Sequence, residues 1–176
     1  MTHIVNTLKN VFDYKYANKM VKTYDLSVQL KKGPKGVSLF AKKLIKKGNI
    51  ISYYKFKLFS VKNFKGVKKD MYVMSVYTKQ YNFNNRLLGD LFEGSLEQPK
   101  YNIPFWAYFS NEPSKNQIEN CTLDPNLKSN YLNRHSVKEG DTMIYKLIAT
   151  KDINPGEEIV WCYGNSYYRT YKANCN

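Results

Sequence analysis

Val5, Leu8, Phe12, Tyr16 and Met20 recur at three- and four-residue steps, which predicts a helix within residues 5–24, capped by Asn6 or Thr7. Leu26, Val28 and Leu30 then alternate with polar neighbours, and a short strand is expected there. Gly33-Pro34-Lys35-Gly36 reads as a turn, Val37–Ala41 as a short apolar element, and Lys46-Lys47-Gly48-Asn49 as a second turn. The stretch from Ile50 to Leu58 alternates again. Tyr54, Phe56 and Leu58 fall on one face of a strand, Lys55 and Lys57 on the other. Residues 62–100 carry a weaker pattern, with a strand expected around Tyr72–Tyr77 and a loop-rich piece after it. Asn154-Pro155-Gly156 separates an expected strand Met143–Ala149 from another at Ile159–Tyr163. Short strands between glycine-marked turns predict a β-rich domain, and no internal repeat marks a solenoid or propeller.

At 176 residues and 43% hydrophobic content, the chain has the size and apolar share of one packed domain. No apolar run reaches the roughly 20 residues of a membrane span, and the first ten residues lack the apolar stretch of a signal peptide. The three cysteines, Cys121, Cys162 and Cys175, are odd in number and far apart. The expectation is a reduced, disulfide-free protein of the nucleus or cytoplasm, with no membrane partner.

Charge adds a localised feature. The net charge is +14, and residues 26–69 hold 13 Lys with no Arg, Asp or Glu, which leaves the other residues near balance. Such a segment can be a row of solvated lysine tips or a surface that attracts an anionic partner such as DNA or a nucleosome. Arg, the residue suited to bidentate recognition of phosphate and bases, occurs only at Arg86, Arg134 and Arg169. Lys, Asn and Tyr are all abundant, as an A/T-rich genome would impose on any protein.

Several kinds of chemistry are excluded by residue type. With two histidines and no CxxC, a structural zinc site is not expected. The phosphate-binding loop, dinucleotide and nucleophile-elbow motifs are all missing. Asn120-Cys121-Thr122 matches a glycosylation sequon, but nothing accompanies it that points to secretion. Gly33–Gly36 offers a weak anion nest beside the plainer reading of a turn.

Three blocks in order are more specific. The first is Gly36-Val37-Ser38-Leu39-Phe40-Ala41, followed by Ile45-Lys46-Lys47-Gly48-Asn49-Ile50-Ile51. The second is Phe105-Trp106-Ala107-Tyr108-Phe109-Ser110-Asn111-Glu112. The third runs from Ile148 to Gly164 and contains Gly156-Glu157-Glu158-Ile159 and Tyr163-Gly164. Over about residues 26–168 the chain resembles the SET domain, the fold of most protein-lysine methyltransferases. Members commonly read G-x-G-[VL]-F-A, then R-F-I-N-H-S, then G-E-E-L with a later Y-G. The second block is closer to the PR subtype, with Trp106 five residues before Asn111 and Glu112 where His is usual.

The resemblance implies a mainly β (β-rich α+β) fold of short sheets, with a pseudoknot-like crossing where the Tyr163 segment passes the Asn111 strand. It implies a helical arm at 1–25, the domain at 26–168 with an inserted region at about 60–100, and a tail at 169–176. It implies transfer of a methyl group from S-adenosylmethionine to a lysine amine of a histone or another chromatin-associated protein. Tyr163 matches the catalytic tyrosine, although with 16 tyrosines a core role is the competing reading. Gly36, Val37, Ser38 and Leu39, together with Tyr108, Asn111 and Glu112, match the cofactor-binding positions. The competing reading of Asn111 is a turn residue before Pro113. Trp161 and Tyr163 match the substrate channel, where Trp161 either limits the number of methyls added or simply fills the core. Tyr167, Tyr168 and Tyr171 can stack on adenine or close the core, and Cys175 alone offers no metal cluster.

Ser38 stands where the second glycine is usual. With Glu112 and Cys162, it motivates an alternative in which a catalytically degenerate module binds a protein or DNA partner. A compact, A/T-biased SET protein would suit a virus or a small-genome parasite.

Overall fold

The computed structural model describes residues 14–64, 73–76, 87–90, 97–124, 138–164, 167 and 169–175, and of these 14, 15, 73–76 and 87–90 are described by backbone alone. Helix α1 spans Tyr14–Thr23, so the first half of the expected helix lies outside the described residues. Ala17, Met20 and Val21 lie on one face and are buried. The helix stops because Asp25 enters the left-handed region at φ 48°. The Leu26 N–H then bonds Val21 O at 3.1 Å and the Asp25 N–H bonds Lys22 O at 3.4 Å, a closing pattern that satisfies the last carbonyls. Leu26 is thereby directed into the core.

Strands β1 (Val28–Gly33) and β2 (Gly36–Ala41) form an antiparallel hairpin in which Gly33 faces Gly36. The first expected turn is the two-residue loop Pro34-Lys35, and Gly36 closes it at φ 89°, where a Cβ would be strained. A second antiparallel sheet has five strands. Its centre is β3 (Ile50–Ser60), paired on one side with β7 (Thr142–Ala149) and on the other with β5 (Leu87–Asp90). Beyond these lie β4 (Val73–Val76) at one edge and β6 (Cys121–Leu123) at the other. The predicted alternation in β3 holds, with Tyr54, Phe56 and Leu58 buried and Lys57 exposed. Strand β4 lies inside the expected Tyr72–Tyr77. Strand β5 falls where loop was expected, because its pairing partners are β3 and β4 and the ladder, rather than local apolar pattern, makes it a strand.

The second sequence block is not a strand. Its anchor is the buried Ser52 hydroxyl, which donates to Pro104 O at 2.7 Å and accepts the Trp106 N–H at 2.9 Å. From there a 3-10 turn, Ala107–Phe109, carries Ser110 and Asn111 to the site, and Trp106 is fully buried beneath it.

The strand expected at Ile159–Tyr163 is also absent as such. Residues 156–159 border β2, with the Ile159 N–H bonding Leu39 O at 2.8 Å and a single bridge between Phe40 and Glu158. The chain then leaves β2 and runs parallel to the second block, through a bridge between Asn111 and Val160 and a bond from the Trp161 N–H to Asn111 O at 3.0 Å. Two neighbours in succession, each for a few residues, prevent a continuous ladder. This is the pseudoknot-like crossing, and the short sheets around it form a β-rich fold.

Buried Asn120 fixes the crossing. Its Nδ2 donates to Glu158 O at 2.8 Å, and its Oδ1 accepts the Val160 N–H at 3.0 Å. Both ends of the side chain are engaged inside the protein, so the sequon is not a surface acceptor. Asn120→Ala leaves two buried backbone groups without partners and is expected to lower stability by about 2 kcal/mol. A shift of the urea midpoint at unchanged slope checks it.

Candidate functional site

The site forms where the crossing segment meets the end of the 3-10 turn. Tyr163 is inserted there with its hydroxyl donating to Ser110 O at 2.7 Å. Burial pushes its phenol well above the ordinary tyrosine value, reinforced by the nearby Tyr54, Tyr171, Tyr167 and Glu112. It therefore stays a neutral phenol at physiological pH. Aromatic rings surround it. Trp161 lies 5.2 Å away between centroids, and Tyr167 meets the Tyr163 ring edge-on at 4.8 Å. Trp161 donates its indole N–H to Tyr54 Oη at 3.1 Å, and Tyr54 Oη sits 3.4 Å from Ser110 Oγ. Burial raises the Tyr54 phenol as well.

A polar cluster adjoins this aromatic wall. Asn111 Nδ2 donates to Ser38 Oγ at 2.7 Å and to Glu158 Oε1 at 3.3 Å. Lys35, from the tip of the β1–β2 hairpin, bonds Glu112 O at 2.9 Å, Gln117 Oε1 at 3.0 Å and Glu158 Oε2 at 3.5 Å. The Gly33–Gly36 turn is therefore a hairpin tip that delivers a lysine to a carboxylate. Next to it, a Cβ placed on Gly36 would meet nothing within 4 Å, so the backbone face there is open to approach.

Glu112 has its side chain fully buried. Its carboxylate accepts Arg169 Nε at 2.7 Å and Nη2 at 2.5 Å, the Tyr171 hydroxyl at 2.9 Å and the Tyr163 N–H at 2.9 Å. Burial alone would raise its pKa, but Arg169, the Tyr163 N–H and the Tyr171 hydroxyl together hold it below the ordinary 4.5. A carboxyl that is more acidic folded than unfolded stabilises the fold above the ordinary carboxylate range, and this stabilisation is lost as pH falls through the depressed value. The stability gap between wild type and Glu112→Gln is accordingly expected to narrow as pH is lowered below 4.5. Denaturant titrations at several acidic pH values check it.

The structure thus brings Ser38, Asn111, Glu112, Trp161 and Tyr163 into one region. Val37 and Leu39 point into the hydrophobic core, and Tyr108 is buried on the 3-10 turn with its ring 4.4 Å from Phe109. Tyr168 lies outside the described residues. Sequence reasoning missed Ser110, Tyr54, Lys35 and Arg169. Only Arg169 carried a visible signal, as one of three arginines in a lysine-rich chain.

The disulfide-free expectation is corrected, since Cys162 and Cys175 are joined. The tail folds back after Gly164 and brings their Cα atoms to 5.8 Å, within bridging range despite 13 residues of separation. Cys121 remains a free, buried thiol. Among the described residues no cluster of His, Cys, Asp or Glu is arranged to hold a metal, and no helix is long and apolar enough to cross a membrane. The Lys-rich segment is partly neutralised, with Lys35, Lys43, Lys46 and Lys55 paired to Glu158, Asp25, Asp152 and Glu97.

Comparison with solved structures places this geometry in context. A structure of ATXR5 in complex with histone H3.1 mono-methylated on R26 superposes with a TM-score of 0.53 at 18% identity, covering 93% of this chain and 69% of that one. The ATXR5 SET domain in complex with histone H3 di-methylated on R26 gives 0.51 at 19% identity, over 90% and 67%. The methyltransferase domain of human PR domain-containing protein 2 gives 0.48 at 18% identity, over 90% of both chains. No curated protein matches the sequence. The family model of the SET domain matches residues 36–164, which include all three sequence blocks, the crossing and Tyr163. The chain belongs to the SET domain family.

Proposed function

We propose that this chain is a protein-lysine N-methyltransferase that uses S-adenosylmethionine and acts on a histone or another chromatin-associated protein. The observation that carries the reading is the placement of Tyr163, a buried neutral phenol bonded to Ser110 O, walled by Trp161 and Tyr54 and adjoining the Asn111 cluster. The residues present fit the cofactor. The open face at Gly36 admits a close approach to backbone. Asn111 and Ser38 supply neutral polar groups, and the Glu158 carboxylate suits an ammonium group. These residues would hold the methionyl end of the cofactor. When bound, S-adenosylmethionine supplies a methyl group activated on a positively charged sulfur.

The chain's own residues do the rest. A lysine amine titrates near ~10.4 in water and attacks only when neutral. The rings of Tyr54, Trp161 and Tyr163 strip water from an incoming side chain, which penalises the ammonium form and releases its proton to solvent. The same rings restrict the amine to one line of approach, and positioning of this kind supplies much of the rate in a two-partner reaction. The Tyr163 hydroxyl donates its hydrogen bond to Ser110 O, so its oxygen retains lone pairs for weak bonds to polarised C–H groups.

The two departures from the usual pattern are accommodated. Ser38 accepts the Asn111 amide, and Glu112 anchors the Tyr163 backbone, which favours an active enzyme over a degenerate module. The remaining exposed lysines leave a contact with a polyanion such as DNA as an addition to this reading.

Incubation with histone octamers and methyl-labelled S-adenosylmethionine tests the proposal, with mass spectrometry of the product. Label on lysine is expected. Absence of label from histones and from a whole-cell protein extract would overturn it.

A further inference from the structure

The backbone around Tyr163 is held by Glu112 and by the tail. Glu112 accepts the Tyr163 N–H and, through the same carboxylate, Arg169 and Tyr171. Arg169 reaches past Glu112 to donate to Gly164 O at 2.8 Å and to Tyr167 O at 3.1 Å. One guanidinium therefore grips the residue after Tyr163 and the backbone of Tyr167, whose ring packs on Tyr163, and its Cζ lies 5.5 Å from the Tyr167 ring centroid. The covalent bond from Cys162, the residue before Tyr163, closes the loop at Cys175. Next to Cys175, Asn174 bonds Pro113 O at 3.0 Å and Gln117 O at 2.7 Å. Tyr163 is thus held through its preceding residue, its own N–H, its following residue and its ring, and the tail reaches the N–H through Glu112, which Arg169 and Tyr171 hold in place.

We propose that Glu112 and Arg169 are positioning residues for Tyr163, and that the Cys162–Cys175 disulfide keeps their clasp shut, so that the site is ordered when oxidised and loosened when reduced. The proposal rests on the functional reading above for its effect on catalysis, while the clasp itself rests on geometry alone. The switching step is a thiol–disulfide exchange. A dithiol such as dithiothreitol donates two electrons, the S–S bond between Cys162 and Cys175 breaks, each sulfur takes up a proton, and the dithiol becomes a cyclic disulfide. The chain's third cysteine, Cys121, is fully buried with its Sγ directed at Val160 O, which leaves a single reducible bond for the reagent.

A fold that merely gained stability from the cross-link would lose stability globally on reduction. A clasp predicts a local change instead. Hydrogen exchange of the full chain, resolved at the Tyr163 amide, separates the two. In Arg169→Ala, in Cys175→Ser and in the reduced wild type, that amide is expected to exchange at least about tenfold faster, while the β3 and β7 amides keep wild-type rates. Dithiothreitol should have no further effect on Cys175→Ser. Arg169→Lys, which keeps the charge but loses the fork, should fall between wild type and Arg169→Ala. In transfer assays the same variants should lose kcat by roughly 10- to 100-fold with the KM for the protein substrate held within about twofold. Wild-type exchange at Tyr163 in Cys175→Ser and in the reduced protein would overturn the proposal, as would equal acceleration at β3 and β7. If exchange at Tyr163 responds but the wild type transfers no methyl group, the clasp stands and the methyltransferase reading falls.

Discussion

Tyr163→Phe is expected to reduce methyl transfer by on the order of 100-fold or more while leaving the fold and cofactor binding in place. The substitution removes one oxygen. That oxygen bonds Ser110 O at 2.7 Å and fixes the ring relative to Trp161 and Tyr167. The ring itself remains, so the aromatic wall that desolvates the amine persists. What goes is the bond to the Ser110 carbonyl and the acceptor that faces polarised C–H groups. The stability cost is that of one buried hydrogen bond, about 1 kcal/mol. Single-turnover kinetics with labelled cofactor, compared with thermal melting, separates the two effects. A variant that melts like wild type yet transfers at the wild-type rate would remove Tyr163 from the chemistry.

Trp106→Ala is expected to have the largest effect on stability, a loss of roughly 3–5 kcal/mol. Its side chain is fully buried beneath the 3-10 turn, and its N–H is fixed on Ser52 Oγ at 2.9 Å. Truncation leaves a cavity under the residues that carry Ser110 and Asn111, and the sheet behind it is rigid, with Phe56 and Leu58 also fully buried. In a domain of this size such a loss corresponds to a fall in melting temperature of about 10 °C. Differential scanning calorimetry reads it. A fall of only a few degrees would show that the site rests on something other than the packed Trp106.

Local features of the fold were legible in the residue pattern, whereas the non-local crossing was reached only through the family resemblance. The alternation of Tyr54, Phe56 and Leu58 with lysines marked β3, because a strand with one buried face writes its period into the chain. Gly36 and Gly48 marked turns for the same local reason, both standing at positive φ. Strands β5 and β6 escaped notice because each is only a few residues long and is made a strand by its ladder. The Ile159–Tyr163 segment looked like a strand by composition. It has two successive partners, β2 and the Asn111 segment, and no period in a sequence encodes a change of neighbour.

The candidate site divides in the same way. Tyr163, Asn111 and the Gly36 turn were singled out as candidates because they sit in motifs with fixed local spacing. Glu112 was recognised as a departure, but its partner Arg169 is 57 residues away and lies beyond the motif. The cysteines misled for a related reason. Counting three, widely spaced, argued against a bridge, whereas pairing depends on how the tail returns after Gly164. Lys35 looked like a turn residue of a basic segment, yet it bonds Glu112 O and faces Glu158, so part of that charge belongs to the site.

A crystal structure with S-adenosylhomocysteine tests the site most directly. The product is expected against the Gly36–Ser38 backbone and Asn111, with its sulfur facing the Tyr163 hydroxyl. No binding, or binding away from Tyr163 and Asn111, would contradict it.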